Sequence, residues 1–68
     1  KAMMKDFKGS FDDYSIALQY NPKDNIVLFN RGLTRLNLND TAGACDDWHR
    51  AANLGNQAAG EVISTFCR

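Results

Sequence analysis

Two stretches of this 68-residue chain repeat each other at a fixed spacing, and this repetition constrains the fold strongly. Residues 6–17, Asp-Phe-Lys-Gly-Ser-Phe-Asp-Asp-Tyr-Ser-Ile-Ala, match residues 40–51, Asp-Thr-Ala-Gly-Ala-Cys-Asp-Asp-Trp-His-Arg-Ala. Matched residues lie 34 positions apart, as 6 and 40 do, and Tyr14 corresponds to Trp48. A unit of this length buries a core by stacking on its neighbours. The sequence therefore predicts a repeat architecture, whose exposed faces commonly bind other proteins.

The charge balance and hydropathy argue against two classes of function. Eight basic residues balance eight acidic ones, so no basic excess indicates binding to nucleic acid or to a membrane surface. Hydrophobic residues make up 44% of the chain, which is enough for a core. No apolar run approaches the ~18 residues that suggest a membrane-spanning helix. We expect neither a nucleic-acid partner nor a membrane span.

The apolar residues recur at helical spacing, and turn-forming residues divide the chain into four helices. Pro22 ends the first helix, because the residue before proline avoids the helical region. Asp24 is expected to cap the second helix and Asp40 or Thr41 the third. Gly55 is free to take the left-handed conformation that stops the third helix. The connections are short, so successive helices should run antiparallel. The first helix runs from about residue 7 to 20 and the last from about 57 to 67.

Each predicted helix has one face with core spacing. The predicted inward residues are Phe7, Phe11, Tyr14, Ala17 and Leu18 on the first helix; Leu28, Phe29, Gly32, Leu36 and Leu38 on the second; Ala44, Cys45, Trp48, Ala51 and Ala52 on the third; and Ala58, Val62, Ile63 and Phe66 on the fourth.

This arrangement resembles the tetratricopeptide repeat family, in which helical hairpins stack with small residues facing large ones. Asn30-Arg31-Gly32 and Asn53-Leu54-Gly55 also look typical of bacterial members, although Ser10 stands where the family usually has Ala and Asn56 where it has Pro. The residues that fall on the family's packing positions are Tyr14, Ala17, Leu28, Gly32, Ala44, Trp48 and Ala51, and Pro22 matches the proline that closes a unit.

The resemblance implies an all-α fold of antiparallel helical hairpins stacked as a short right-handed superhelix. Residues 1–24 would be the second half of a truncated repeat, 25–58 a complete repeat, and 59–68 a C-terminal capping helix. The chain would then be the C-terminal fragment of a longer bacterial protein.

The resemblance also implies a non-catalytic scaffold that binds a peptide or partner protein through a groove lined by the first helix of each hairpin. Only Asn30 matches the Lys and two Asn with which some members bind a terminal carboxylate, so an apolar segment is the expected ligand. An alternative function is self-association through the partly uncovered apolar residues of the first helix, giving a homo-oligomer. The groove positions are Ile26, Phe29, Asn30, Leu33 and Asn37.

Cys45 and Cys67 lie on helices that should pack together, and the sequence leaves two alternatives for them. Similar bacterial repeats often end in this pattern, which looks like the disulfide of an exported protein. The other alternative is a pair of free, buried thiols in a cytoplasmic protein.

The remaining candidates for chemistry favour a structural interpretation. Cys45 and His49 stand four apart, as metal ligands do on a helix, yet the paired Cys-x-x-Cys of zinc sites is absent from the sequence, so we expect no metal. The Asp12-Asp13 and Asp46-Asp47 pairs point in different directions on a helix, so they do not form a catalytic dyad. We expect Asp47 or Asp13 to pair with Arg31 or Arg35 in a partly exposed contact, and we expect neither an enzyme nor a cofactor.

Overall fold

Four α-helices joined by short turns make up residues 6–67, which are the residues that the computed structural model describes. The all-helical prediction is confirmed. Residues 1–5 of the predicted first unit and Arg68 lie outside the described residues. The helices are α1 (Phe7–Tyr20), α2 (Asn25–Asn37), α3 (Thr41–Asn53) and α4 (Gln57–Phe66).

Each helix begins at an Asp or Asn whose side chain accepts a hydrogen bond from a backbone N–H of the first turn, which otherwise has no partner. The predicted cap at Asp24 is confirmed, and Asp40 rather than Thr41 caps α3. The capping bonds run from the N–H of Gly9 to Asp6, from those of Ile26 and Val27 to Asp24, from that of Gly43 to Asp40, and from that of Ala59 to Asn56.

Two residues with positive φ follow the ends of α2 and α3. Asn39 has φ 66° and Gly55 has φ 103°. Glycine and, less readily, asparagine adopt this region, so both turns can reverse the chain within a few residues. The predicted left-handed conformation of Gly55 is therefore confirmed.

The core lies where α2, α3 and α4 meet. Helix α2 packs on α1 and on α3, and α4 packs on α3. No residue of α1 is fully buried, so its apolar face is only half covered within residues 6–67. The fully buried apolar residues are Leu28, Ala44, Trp48, Ala51 and Ala59.

The centre of this core is the indole of Trp48, which lies directly on Gly32. A Cβ added at Gly32 would lie 2.7 Å from Cδ1 of Trp48 and closer still to Nε1. The indole N–H donates to the carbonyl oxygen of Phe29 at 3.3 Å, so this buried donor is satisfied. The glycine lets α2 and α3 approach closely enough for the ring to fill the space between them.

Three predicted core positions are wrong. Phe66 is 45% exposed, although its ring centroid lies 5.7 Å from that of Trp48. Ala58 is exposed and the adjacent Ala59 is buried in its place, since Ala59, Val62 and Ile63 form the stripe that faces α3. Leu38 is 41% exposed because it is the C-cap of α2, beyond the last residue that follows the helical period.

Candidate partner-binding surface

The five predicted groove residues lie on α2 at steps of three and four, so they share one side of the helix. We call them the α2 stripe. Ile26 is 63% exposed and Asn37 is also exposed, whereas the other three are half buried. The α2 stripe consists of Ile26, Phe29, Asn30, Leu33 and Asn37.

The core packs against part of the α2 stripe, and side chains of α2 donate hydrogen bonds to the backbone of two of its residues. Phe29 and Leu33 pack against the buried cluster. The side-chain amide of Asn37 donates to the carbonyl oxygen of Leu33 at 2.9 Å, and the hydroxyl of Thr34 donates to that of Asn30 at 3.1 Å. None of the five side chains carries a charge, so the stripe is suited to apolar contact with amide groups at its margin.

A buried ion pair lies on the opposite side of α2. Arg31 donates from Nε to Oδ2 of Asp47 and from Nη2 to Oδ1, each at 2.8 Å, and from Nη1 to the hydroxyl of Ser15 at 3.1 Å. The expected pairing of Asp47 with an arginine is therefore present. The expectation that it would be partly exposed is wrong, because the side chain of Asp47 is 0% exposed at the point where α1, α2 and α3 meet.

The electrostatics of this pair keep Arg31 charged. Hydrogen bonding to Asp47 raises the pKa of the Arg31 guanidinium above its ordinary value. Desolvation by burial lowers this pKa, and the negative charges of Asp47 and Asp46 raise it further. A raised pKa means that the contribution of Arg31 to stability is fully present below the unfolded-state pKa and is lost only as pH rises through the folded-state pKa. Arg31 therefore stays charged across the physiological range.

Arg35 supports the same carboxylate from the next turn of α2. Its Nη1 donates to the carbonyl oxygen of Gly43 at 3.2 Å and lies 3.8 Å from Oδ1 of Asp47. Both guanidinium groups also lie over the ring of Phe11 on α1, at 5.5 Å for Arg31 and 4.9 Å for Arg35. These cation–π contacts join α1 to the hairpin of α2 and α3.

Cys45 and Cys67 form a disulfide that ties the end of α4 to α3. Neither sulfur is then available as a metal-binding thiolate, and His49 is exposed. Within residues 6–67 no group of three or more His, Cys, Asp or Glu side chains is arranged to hold a metal ion. The two cysteines therefore serve as a covalent crosslink between α3 and the end of α4.

A hydrogen bond that joins the starts of α2 and α4 was not anticipated from the sequence. Asn56 caps α4 with its side-chain oxygen, while its amide nitrogen donates to Oδ1 of Asn25 at 3.0 Å. The two residues lie 31 positions apart, at the starts of α2 and α4. The only signal in the sequence is that an Asn stands where the family that the chain resembles has a proline, whose side chain has no hydrogen-bond donor.

Two clefts in the described part of the chain flank α1 and do not include the α2 stripe. The larger, about 310 Å³, has mixed charge, with Lys8 and Arg35 facing Asp12 and Asp40 around the ring of Phe11. The smaller, about 200 Å³, lies between α1 and the first half of α2.

Comparison with protein-family models, with curated proteins and with solved structures finds no match to this chain. Among the described residues, no helix combines the length and the apolar character needed to cross a lipid bilayer.

Proposed function

We propose that this chain is a module of the tetratricopeptide type, a non-catalytic scaffold that binds a partner protein through the α2 stripe. In this proposal the helices form tandem hairpins that continue as a right-handed superhelix. The half repeat spans residues 1–24, the complete repeat spans 25–58, and the capping helix spans 59–68.

The observation that carries the proposal is the contact between Gly32 and Trp48. The sequence places a glycine and an aromatic residue at the crossing of two antiparallel helices, and the ring lies on the glycine with no room for a Cβ. The equivalent caps of α1 and α3 support the same proposal, since Asp6 and Asp40 each accept a bond from a glycine N–H at 2.9 Å. Repeated local structure at a fixed spacing is what a stack of like units requires.

The chemistry of the α2 stripe favours an apolar segment as its ligand. Ile26 offers an exposed aliphatic side chain beside the half-buried Phe29 and Leu33. Asn30 and Asn37 can hydrogen-bond the edge of a peptide but carry no charge to attract a terminal carboxylate. An extended or helical segment with two or three apolar anchors fits this surface better than an anionic tail does.

The disulfide bears on the compartment in which this module works. Disulfides persist in oxidising environments and are rare in the reducing cytosol. The bond between Cys45 and Cys67 therefore favours an exported protein, such as a periplasmic one in a bacterium.

A pull-down with the full-length protein tests the proposal. We expect Asn30→Ala/Leu33→Ala to reduce recovery of the partner, because it removes an amide and an apolar anchor from the stripe. A matched control is Glu61→Ala/Ser64→Ala on α4, where both residues are exposed, and it should leave recovery unchanged. Equal recovery with both double variants and the wild type would rule out the α2 stripe as the binding surface.

A further inference from the structure

The turn between α2 and α3 carries a tripeptide with its own chemistry. Residues 39–41 are Asn-Asp-Thr, with Thr41 as the first residue of α3. An Asn followed two positions later by Ser or Thr, with a residue other than proline between them, is the acceptor sequence for N-linked glycosylation. Of the seven asparagines in the chain, Asn39 is the one that meets this requirement, so the pattern singles out one side chain.

The fold presents this tripeptide to solvent. Asn39, Asp40 and Thr41 are all exposed, and Asn39 has φ 66°, so its backbone belongs to neither helix. Within residues 6–67, neither the side-chain amide of Asn39 nor the hydroxyl of Thr41 makes a hydrogen bond. The amide of Asn56, by contrast, donates to Asn25. A sugar attached to Asn39 would therefore displace no contact of the fold.

The disulfide between Cys45 and Cys67 is a second, independent observation, and it concerns the compartment. N-linked sugars are carried on surface loops of secreted proteins, so the acceptor sequence is used only in a chain that leaves the cytosol. Disulfides persist in the same oxidising compartments to which such proteins are exported. An exposed acceptor turn and a disulfide thus indicate one and the same environment.

We propose that Asn39 is a site of N-linked glycosylation. In the reaction, Nδ2 of Asn39 bonds to the anomeric carbon of an oligosaccharide carried on a lipid pyrophosphate. Nδ2 loses a proton, and the lipid pyrophosphate leaves with the electron pair of the broken carbon–oxygen bond. A membrane-bound oligosaccharyltransferase catalyses the transfer and recognises the hydroxyl of Thr41. The proposal rests on the export inferred from the disulfide and not on partner binding through the α2 stripe.

Mass spectrometry of the full-length protein purified from its natural host tests the site. Trypsin cleaves after Arg35 and Arg50 and releases a peptide of residues 36–50, which contains both Asn39 and Thr41. We expect this peptide to be heavier than its amino-acid sequence by the mass of an oligosaccharide. Fragmentation by electron transfer, which leaves the sugar attached, should place the added mass on Asn39.

Three variants separate the parts of the acceptor sequence. Asn39→Gly removes the amide but keeps a residue that adopts positive φ, and Thr41→Val removes the hydroxyl with little change of shape. Both should lose the sugar completely, whereas Thr41→Ser keeps a hydroxyl and should retain it. Asn21→Ala is the matched control and should also retain it, because Asn21 is equally exposed after a helix end but is followed by Pro22-Lys23.

Alkylation of the same sample without prior reduction shows whether Cys45 and Cys67 are bonded, and so separates this proposal from the inference of export. A bonded protein whose peptide 36–50 has its unmodified mass would overturn glycosylation alone. Free thiols together with an unmodified peptide would overturn both. A sugar that survives Asn39→Gly but is lost in Thr41→Val would place the attachment on the threonine hydroxyl, which also contradicts the proposal.

Discussion

Arg31 and Asp47 form a two-pronged ion pair in which both oxygens of a fully buried carboxylate accept hydrogen bonds at 2.8 Å from one guanidinium. The third nitrogen of that guanidinium bonds Ser15, so the pair connects α1, α2 and α3 at one point. The equivalent acid on α1, Asp13, is exposed. Aspartates at equivalent positions are therefore buried and paired on α3 but exposed on α1.

Removing one partner of the buried pair should destabilise the fold strongly. We expect Arg31→Ala to lower the free energy of unfolding by about 3 kcal/mol, because it leaves the Asp47 carboxylate buried with Arg35 3.8 Å away as its remaining cation. Urea unfolding followed by circular dichroism measures this change. The double variant Arg31→Met/Asp47→Leu should lose less stability than the sum of the losses of Arg31→Met alone and Asp47→Leu alone, since no unpaired charge remains. Additive losses would contradict the pairing.

Asp13 provides the matched control for Asp47. We expect Asp13→Ala to leave the urea midpoint nearly unchanged and Asp47→Ala to shift it clearly downward, because only the second side chain is buried and paired. Similar shifts for the two variants would show that burial does not distinguish the equivalent acids.

Two helical glycines should respond in opposite ways to substitution by alanine. We expect Gly32→Ala to destabilise by roughly 1–3 kcal/mol, because the new methyl group meets the Trp48 indole at 2.7 Å or less. Gly60→Ala in α4 should instead stabilise by about 0.5–1 kcal/mol, since nothing lies within 4 Å of its added Cβ and alanine favours helix. Thermal melts of both variants give the comparison, and stabilisation by Gly32→Ala would refute the close crossing of α2 and α3.

The disulfide should hold α4 in place. We expect Cys45→Ala/Cys67→Ala to lower stability by about 3 kcal/mol, as a loop closed over a separation of 22 residues implies. Hydrogen exchange should become faster in α4 than in α2, because α3 is the one helix with which α4 makes extensive contact among residues 6–67. Dithiothreitol should have the same effect on the wild type and none on the double variant. Unchanged exchange in α4 after reduction would contradict this role.

The cap that the Asn56 side chain forms on α4 and its link to Asn25 can be separated by substitution. Asn56→Asp keeps an oxygen that caps α4 but loses the donor to Asn25, whereas Asn56→Ala loses both. We expect losses of about 1 kcal/mol for the first variant and about 2 kcal/mol for the second, measured by urea unfolding. Equal losses would mean that the link to Asn25 contributes nothing.

The helices and much of the core were predictable because local chemistry determines them. Asp24 and Gly55 mark helix ends by capping and by backbone freedom, and Trp48 falls in the middle of an apolar period. Ala58 and Ala59 were not separable in this way, because two adjacent alanines leave the phase of a short helix ambiguous.

The burial of Asp47 was not predictable because it depends on where three helices meet. The neighbouring Asp46 has the same side chain and remains exposed, paired with Arg50 at 3.4 Å on the surface of α3. The bond between Asn25 and Asn56 was not predicted for a related reason. The sequence around each residue indicates only a turn or a helix cap, and the two residues meet because of how α4 packs.

Site-specific photo-crosslinking in the natural host can show whether the α2 stripe contacts a partner protein. A benzophenone amino acid replaces Ile26 in the full-length protein, or Gly60 on the outer side of α4 as the matched position. We expect one discrete adduct from position 26, lost when Leu33→Asp is added, and none from position 60. The same adducts from both positions, or an adduct at 26 that survives Leu33→Asp, would show that the α2 stripe is not the contact surface.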